Sequence, residues 1–133
     1  MRKKVLLVDD SNTVLMMEKM ILSKGPYDVV TARDGAEAIV KAKSEQPDVI
    51  LLDVVMPNLD GLSACAAIRR DPSTAHIPIV MVTTRGEEQN IETAFRNGCT
   101  DYVTKPINGL ELLTKLHNIL GQVERWALSP PVG

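Results

Sequence analysis

The sequence has little of what several protein classes require. No apolar run reaches the ~20 residues that a membrane-spanning helix needs, and no signal peptide precedes Val5. Lys and Arg number 15 against 17 Asp and Glu, so the formal net charge of -2 offers no broad positive field to a nucleic acid. The two cysteines, Cys65 and Cys99, lack metal-ligand spacing and are predicted to be small buried thiols. We therefore expect a cytoplasmic protein that binds neither a membrane nor nucleic acid directly.

What is present is a regular alternation of two kinds of segment. The 133 residues are enough for one domain with a real core, and strand and helix signals alternate five times along them. This order predicts an α/β fold in which a doubly wound, five-stranded parallel sheet is covered by helices on both faces. The predicted strands cover residues 3–8, 27–32, 49–53, 79–82 and 101–104, and the second is polar enough to lie near an edge.

The helices between these strands have recognisable signals. Residues 12–24 carry Val14, Met17, Met20 and Ile21 at helical spacing, and Gly25-Pro26 stops this first helix. Later helices open at a capping residue with a glutamate three positions on: Asp34 with Glu37, Thr84 with Glu87, and Asn108 with Glu111.

Polar residues stand where four of the apolar strands end. The third strand is a bare aliphatic run that finishes in Asp53, while Asp9 and Asp10, Thr83, and Lys105 follow three other strands. Since the carboxyl ends of parallel strands meet at one edge of the sheet, we expect these groups to converge on a single pocket.

Three carboxylates in one pocket repel one another unless their pKa values rise or a cation enters. Hard oxygen ligands that leave room for water suit Mg²⁺ better than zinc. A carboxylate, a hydroxyl, an ammonium group and Mg²⁺ are also the parts that phosphoryl transfer needs, and an aspartate can itself be the nucleophile. The pocket therefore indicates phosphoryl chemistry on an aspartate.

Four motifs in order carry a family resemblance: VDD at 8–10, LLDVVMPNLDG at 51–61, VTT at 82–84 and DYVTKP at 101–106. On these motifs the chain, from residue 3 to about residue 120, resembles the receiver domain of two-component response regulators. The resemblance implies a flavodoxin-like (βα)5 fold with strand order 2-1-3-4-5.

The resemblance also implies roles for individual residues. Asp53 is the expected phosphate acceptor. Mg²⁺ is expected to bind Asp10, Asp53 and the backbone carbonyl of Val55 directly, and Asp9 through water.

Further implied roles concern the response to phosphorylation. Lys105 is expected to pair with the phosphoryl oxygens, and its bond to Pro106 to be cis. Thr83 is expected to hydrogen-bond the phosphoryl group, and Tyr102 to turn inward after it. The fourth helix, fifth strand and fifth helix then form the changed surface.

Two positions that vary within the family are Val55 and Arg85, which are expected to flank the path of an attacking water. Valine cannot hydrogen-bond that water, while arginine can obstruct it or bridge to an acid. The hypothesis is that the phosphorylated form hydrolyses itself slowly unless a phosphatase helps.

The predicted function is a phosphorylation-dependent switch, not an enzyme, charged by a sensor histidine kinase or a histidine phosphotransfer protein. Residues 1–121 are the expected receiver domain, and residues 122–133 a C-terminal tail or linker in which Trp126 is either part of a frayed end or packs on a partner. Output is expected through a downstream protein target or a fused output domain, from a monomer or a weak dimer formed through the fourth helix, fifth strand and fifth helix. The alternatives are a Mg²⁺-dependent aspartyl-phosphate phosphohydrolase and an interaction module that works without phosphorylation.

Overall fold

The structure is a computed structural model that describes residues 2–84 and 88–121, in which five strands alternate with five helices. The strands are β1 (Lys3–Val8), β2 (Tyr27–Ala32), β3 (Val49–Asp53), β4 (Ile79–Thr84) and β5 (Asp101–Lys105). The helices are α1 (Asn12–Leu22), α2 (Gly35–Glu45), α3 (Gly61–Arg70), α4 (Glu88–Arg96) and α5 (Gly109–Leu120). None of the described helices is both long and apolar enough to cross a lipid bilayer.

All strand pairs in the sheet are parallel, and the spatial order is β2-β1-β3-β4-β5. This confirms the flavodoxin-like fold and the expected edge position of the more polar β2. The register aligns Val8 with Leu52, and Asp53 with Val82, while Lys105 lies opposite Thr84. The carboxyl ends of β1, β3, β4 and β5 therefore reach the same edge of the sheet.

Alternate residues of the strands enter two separate cores, one on each face of the sheet. In β3, Ile50 and Leu52 belong to the cluster that contains the buried residues of α2, α3 and α4, whereas Val49 and Leu51 belong to the cluster of α1 and α5. All four side chains have no exposed surface. Two-sided burial explains why β3 carries no polar alternation in sequence.

Of the apolar residues predicted at helical spacing in α1, Val14 and Ile21 pack against the core, whereas Met17 and Met20 are 38% and 66% exposed. The residues that α1 buries are Leu15, Glu18 and Leu22. Glu18 lies between Leu15 and Leu22 on the buried face of the helix. The sequence therefore shows only two apolar residues on this face, seven positions apart, and no continuous apolar stripe.

Arg69 ties the end of α3 to two loops. Its guanidinium donates to the backbone carbonyls of Ala75 and Ile77 before β4 and of Gly98 before β5, at 3.0, 2.6 and 2.7 Å. Gly98 has a φ of 98°, a left-handed conformation that glycine adopts without strain. The planar guanidinium suits this role because it presents several donors in fixed directions.

Both cysteines are free and buried in the same core cluster, which confirms the prediction of small buried thiols. Burial, together with the neighbouring Cys65, raises the pKa of the Cys99 thiol to about 12. Thiols held neutral in this way are poor nucleophiles and poor metal ligands.

Candidate functional site

Asp53 is the last residue of the central strand and is only 4% exposed. Burial raises the pKa of its carboxyl group to about 6, and the neighbouring Asp9 carboxylate adds to the effect. Lys105 opposes the rise without cancelling it. At pH 7 the group is therefore mostly ionised, yet poorly solvated.

Asp9 and Asp10 follow β1 directly and differ in their surroundings. Asp9 is 1% exposed, and its Oδ1 accepts a hydrogen bond from the Ser11 backbone at 2.9 Å, whereas Asp10 is exposed. Each of the two offers a carboxylate oxygen, and these lie within 4.8 Å of each other and of an Asp53 oxygen. The predicted convergence of three acids is thus present in the structure.

Lys105, at the end of β5, reaches across to the acids. Its Nζ lies 3.3 Å from Asp9 Oδ2 and 3.4 Å from Asp53 Oδ2. Partial burial acts to lower the pKa of this ammonium group, but the Asp53 and Asp9 carboxylates outweigh it, so the pKa is raised. Lys105 is a fixed positive charge, and its peptide bond to Pro106 is cis, as the resemblance implies.

Thr83 and Tyr102 lie on the two strands beyond Asp53. Thr83 is 2% exposed at the end of β4, where its hydroxyl donates to the Thr84 carbonyl at 3.2 Å. The Tyr102 ring is half-buried, meets the Phe95 ring edge-on at 6.2 Å between centroids, and has the Lys115 ammonium 4.9 Å from its centre. Tyr102 therefore joins β5 to α4 and α5.

The loop after β3 is built on close backbone approaches. Val54 donates to Val82 at 3.1 Å, and Gly61 donates back to the Val54 carbonyl at 2.9 Å. A Cβ on Gly61 would lie 2.0 Å from the Asp53 carbonyl oxygen, so only glycine fits there. The side chain of Val55 is 60% exposed on this loop, which leaves its backbone as the part able to serve the site.

Glu18 is the residue near the site that sequence reasoning missed. It is 1% exposed in the α1–α5 core, and its Oε1 has no hydrogen-bond partner among the described residues. Burial and then the Asp9 carboxylate raise the pKa of its carboxyl group to about 8. The available signal was a lone acid between Leu15 and Leu22 at helical spacing.

Three predicted features lie outside the residues that the structure describes. They are the side chain of Arg85, the Glu87 half of the predicted capping box for the fourth helix, and Trp126 with the rest of the tail. The capping predictions at Asp34 and Asn108 are confirmed, because these side chains accept from the Glu37 and Glu111 backbones.

The donor set fits a hard divalent cation. Three carboxylates and one ammonium group leave a formal charge of -2, which one Mg²⁺ balances. Within the described part of the chain, the buried Asp9 Oδ2 has the Lys105 ammonium 3.3 Å away and no well-aligned hydrogen-bond donor, so this oxygen can still accept a donor from a metal-bound water. The ligand atoms are all oxygens, and this favours Mg²⁺ over zinc.

Fold and site together define a flavodoxin-like α/β protein with a buried carboxylate in an acidic, metal-suited cluster at the carboxyl edge of its sheet. The family model of the response regulator receiver domain matches residues 5–117. The chain belongs to this family.

Similar proteins agree with this assignment. The chain is 36% identical over 117 residues to protein PilH of Pseudomonas aeruginosa, a match covering 88% of this chain and 97% of that protein. It is 39% identical over 124 residues to the alkaline phosphatase synthesis transcriptional regulatory protein PhoP of Bacillus subtilis, covering 93% of this chain. The chain spans about half of the length of PhoP, 51%.

A solved structure that contains magnesium resembles the fold. The receiver domain of a sensor histidine kinase from Pseudomonas aeruginosa superimposes with a TM-score of 0.84 at 30% identity, covering 91% of this chain and 99% of that chain. That domain has a magnesium ion coordinated in its active-site cleft.

Proposed function

We propose that this chain is a phosphorylation-dependent signalling switch that accepts a phosphoryl group on Asp53. One observation carries the proposal: a buried carboxylate at the end of β3 lies beside two further acids and 3.4 Å from a lysine ammonium. The donor is a histidine kinase or a histidine phosphotransfer protein, since family membership supports a two-component pathway.

The transfer is a nucleophilic displacement at phosphorus. An Asp53 carboxylate oxygen forms a new O–P bond while the N–P bond of the donor phosphohistidine breaks, and the imidazole leaves with the electron pair and takes up a proton. The product is an acyl phosphate. The reaction depends on positioning and on neutralising charge, which is why the acids and the lysine surround one carboxylate.

The residues that would hold Mg²⁺ are Asp10, Asp53 and the Val55 carbonyl directly, with Asp9 acting through water. When bound, the ion neutralises charge on the phosphoryl oxygens and orients them. Lys105 contributes a second cation, and its ammonium group exchanges part of its present pairing with the Asp53 carboxylate for a phosphoryl oxygen.

The response passes through β4 and β5. The Thr83 hydroxyl exchanges its present bond to a backbone carbonyl for one to the phosphoryl group, drawing its loop inward. Tyr102 follows and gives up its edge contact with Phe95, which is 46% exposed. This changes the surface of α4, β5 and α5, through which a monomer or weak dimer contacts its target.

The chain itself acts as a regulated phosphoacceptor and not as an enzyme on other substrates. We assign residues 1–121 to the receiver domain and 122–133 to a tail or linker. The output is a downstream protein target or a fused output domain. The two free buried thiols favour a cytoplasmic location.

The test is phosphorylation by a small acyl phosphate in the presence of Mg²⁺, followed by intact mass spectrometry. We expect one phosphate adduct on the wild type and none on Asp53→Asn. Asp60→Asn is the matched control, because Asp60 is an exposed acid on the same loop and asparagine also caps α3.

The same experiment separates the alternatives. Turnover of many phosphate esters would favour the phosphohydrolase, which normally needs a second acid beside the nucleophile; here Val54 and Val55 follow Asp53. Absence of any adduct would favour an interaction module that works without phosphorylation and would refute the proposal.

A further inference from the structure

The turn between β2 and α2, formed by Arg33, Asp34 and Gly35, lies next to the site without supplying any of its acids. On one side it contacts the loop after β1. The Arg33 guanidinium donates to the Asp10 backbone carbonyl at 3.0 Å and to the Asn12 side-chain oxygen at 2.5 Å. Arg33 is itself exposed, so these bonds fix the loop from the solvent side.

On its other side the turn contacts the loop after β3. Asp34 caps α2 through Oδ1 and accepts the Asn58 side-chain amide on Oδ2 at 2.8 Å. The Gly35 backbone donates to the Leu59 carbonyl at 3.0 Å, and a Cβ on Gly35 would lie 2.2 Å from that oxygen. The approach is therefore one that only glycine permits.

The loop after β1 carries Asp9 and Asp10, and the loop after β3 begins directly after Asp53 and carries the Val55 carbonyl. Among the described residues no hydrogen bond joins the loop after β1 directly to the loop after β3; their shared partner is the turn. The loop after β3 needs such support, since Val55 is 60% exposed and Asn58 has a left-handed φ of 67°. A short turn beside the edge strand thus makes hydrogen bonds to two loops whose interior parent strands pair directly with each other only up to Val8 and Leu52.

We propose that Arg33 and Asp34, with Asn58, act as positioning residues that hold the two halves of the metal site at the separation Mg²⁺ requires. This inference rests on the proposed function. Loss of positioning and simple electrostatics predict opposite changes in the affinity for Mg²⁺. Arg33→Met removes a positive charge near the site and Asn58→Asp adds a negative one, so charge alone predicts tighter Mg²⁺ binding in both variants.

Positioning predicts the reverse. Arg33→Met releases the loop after β1, and Asn58→Asp places a carboxylate against Asp34, so both variants should bind Mg²⁺ about tenfold more weakly, as is usual when groups that orient metal ligands are lost. Asn58→Gly is a neutral variant that tolerates the left-handed backbone and removes only the amide, and it should shift the Kd in the same direction.

The measurements, made on the full chain, are the Mg²⁺ Kd from calorimetry and the amide hydrogen exchange without metal, followed at residues 9–12 for Arg33→Met and at residues 54–60 for the Asn58 variants. The charge-matched controls are Arg70→Met and Asn118→Asp, at exposed positions on α3 and α5, and they should leave both quantities unchanged. In the acyl phosphate reaction, the Mg²⁺ concentration for half-maximal rate should rise about tenfold in Arg33→Met while the rate at saturating Mg²⁺ is kept.

The inference is supported if the variants of Arg33 and Asn58 bind Mg²⁺ more weakly than the wild type and if amide exchange is faster in the loop that each substitution releases. Equal or tighter Mg²⁺ binding by Arg33→Met and Asn58→Asp, with binding by the wild type intact, overturns the inference alone. A wild type that binds no Mg²⁺ and takes up no phosphate on Asp53 overturns the proposed function and the inference with it.

Discussion

Glu18 provides the most direct test of how burial controls charge in this protein. Replacing it with glutamine keeps the size and shape of the side chain and removes its ability to ionise. Burial and the Asp9 carboxylate raise the pKa of Glu18 from its ordinary value of 4.5 to about 8. Between these two pH values the folded protein retains a proton that the unfolded chain has lost, so the free energy of unfolding falls as the pH rises through this window.

The size of the effect follows from the same pKa values. At about 1.4 kcal/mol per pKa unit, the change from 4.5 to about 8 corresponds to about 5 kcal/mol, of which about 4 kcal/mol develops between pH 5 and pH 9. Domains of this size are stable by roughly 5–15 kcal/mol, so the wild type should lose a large part of its stability over this range. Asp53, whose raised pKa acts in the same direction, is present in both proteins, and its carboxylate is one of the smaller causes of the raised pKa of Glu18.

The assay is urea unfolding of the wild type and Glu18→Gln at several pH values from 5 to 9, with a chelator to remove Mg²⁺. We expect the difference in unfolding free energy to move in favour of Glu18→Gln by about 4 kcal/mol across the range and to level off above pH 8. Glu111→Gln is the control, because Glu111 is exposed on α5. Asp9→Asn should reduce the pH dependence by removing the second cause of the raised pKa. Parallel pH profiles for the wild type and Glu18→Gln would refute the reasoning.

Three further predictions concern the metal, the phosphoryl lifetime and the loops. Mg²⁺ at about 100 times its Kd should raise the unfolding free energy by about 2.7 kcal/mol, measured as a shift in denaturant midpoint, and Asp10→Asn should remove this gain. Val55→Asn and Arg85→Glu should each speed dephosphorylation, followed as loss of the phosphate adduct over time, since asparagine can hydrogen-bond the attacking water and glutamate replaces the arginine that can obstruct it. Arg69→Met should lower the unfolding free energy by about 3 kcal/mol in urea titrations, because it leaves three backbone carbonyls without their charged donor, whereas the exposed Arg70→Met should change it little.

Each of these has an outcome that contradicts it. An unchanged midpoint with millimolar Mg²⁺, or an equal gain in Asp10→Asn, counts against the assigned metal site. Unaltered rates of dephosphorylation in both Val55→Asn and Arg85→Glu would contradict the hypothesis that Val55 and Arg85 slow the hydrolysis of the phosphorylated form. Equal unfolding free energies for Arg69→Met and Arg70→Met would mean that the three hydrogen bonds of the Arg69 guanidinium make no net contribution to stability.

Much of the fold could be read from local patterns, because the features that define it are local. A strand buried on both faces must be apolar throughout, and this marked β3 and β4. Helix starts were visible at Asp34 and Asn108, since a cap involves only residues within one turn. The candidate acids were identifiable because each follows such a strand directly.

The orientation of α1 and the hydrogen bonds of Arg33 depend on contacts between segments that are distant in sequence. Helical spacing in α1 does not say which of two neighbouring stripes faces the sheet, and packing against β-strands and α5 chose the one containing Glu18 rather than Met17. The bonds from Arg33 to the loop after β1 likewise join residues whose separation in sequence carries no pattern.

Asp53 shows both contributions in one residue. The sequence by itself determined that a carboxylate ends the central apolar strand and that acids, a threonine and a lysine end its neighbours. Only the tertiary structure decided that Lys105 Nζ lies 3.4 Å from it and that the pKa of its carboxyl group is about 6. The physical reason is that a pKa reports local polarity and nearby charge, and both are supplied here by strands and helices from the whole length of the chain.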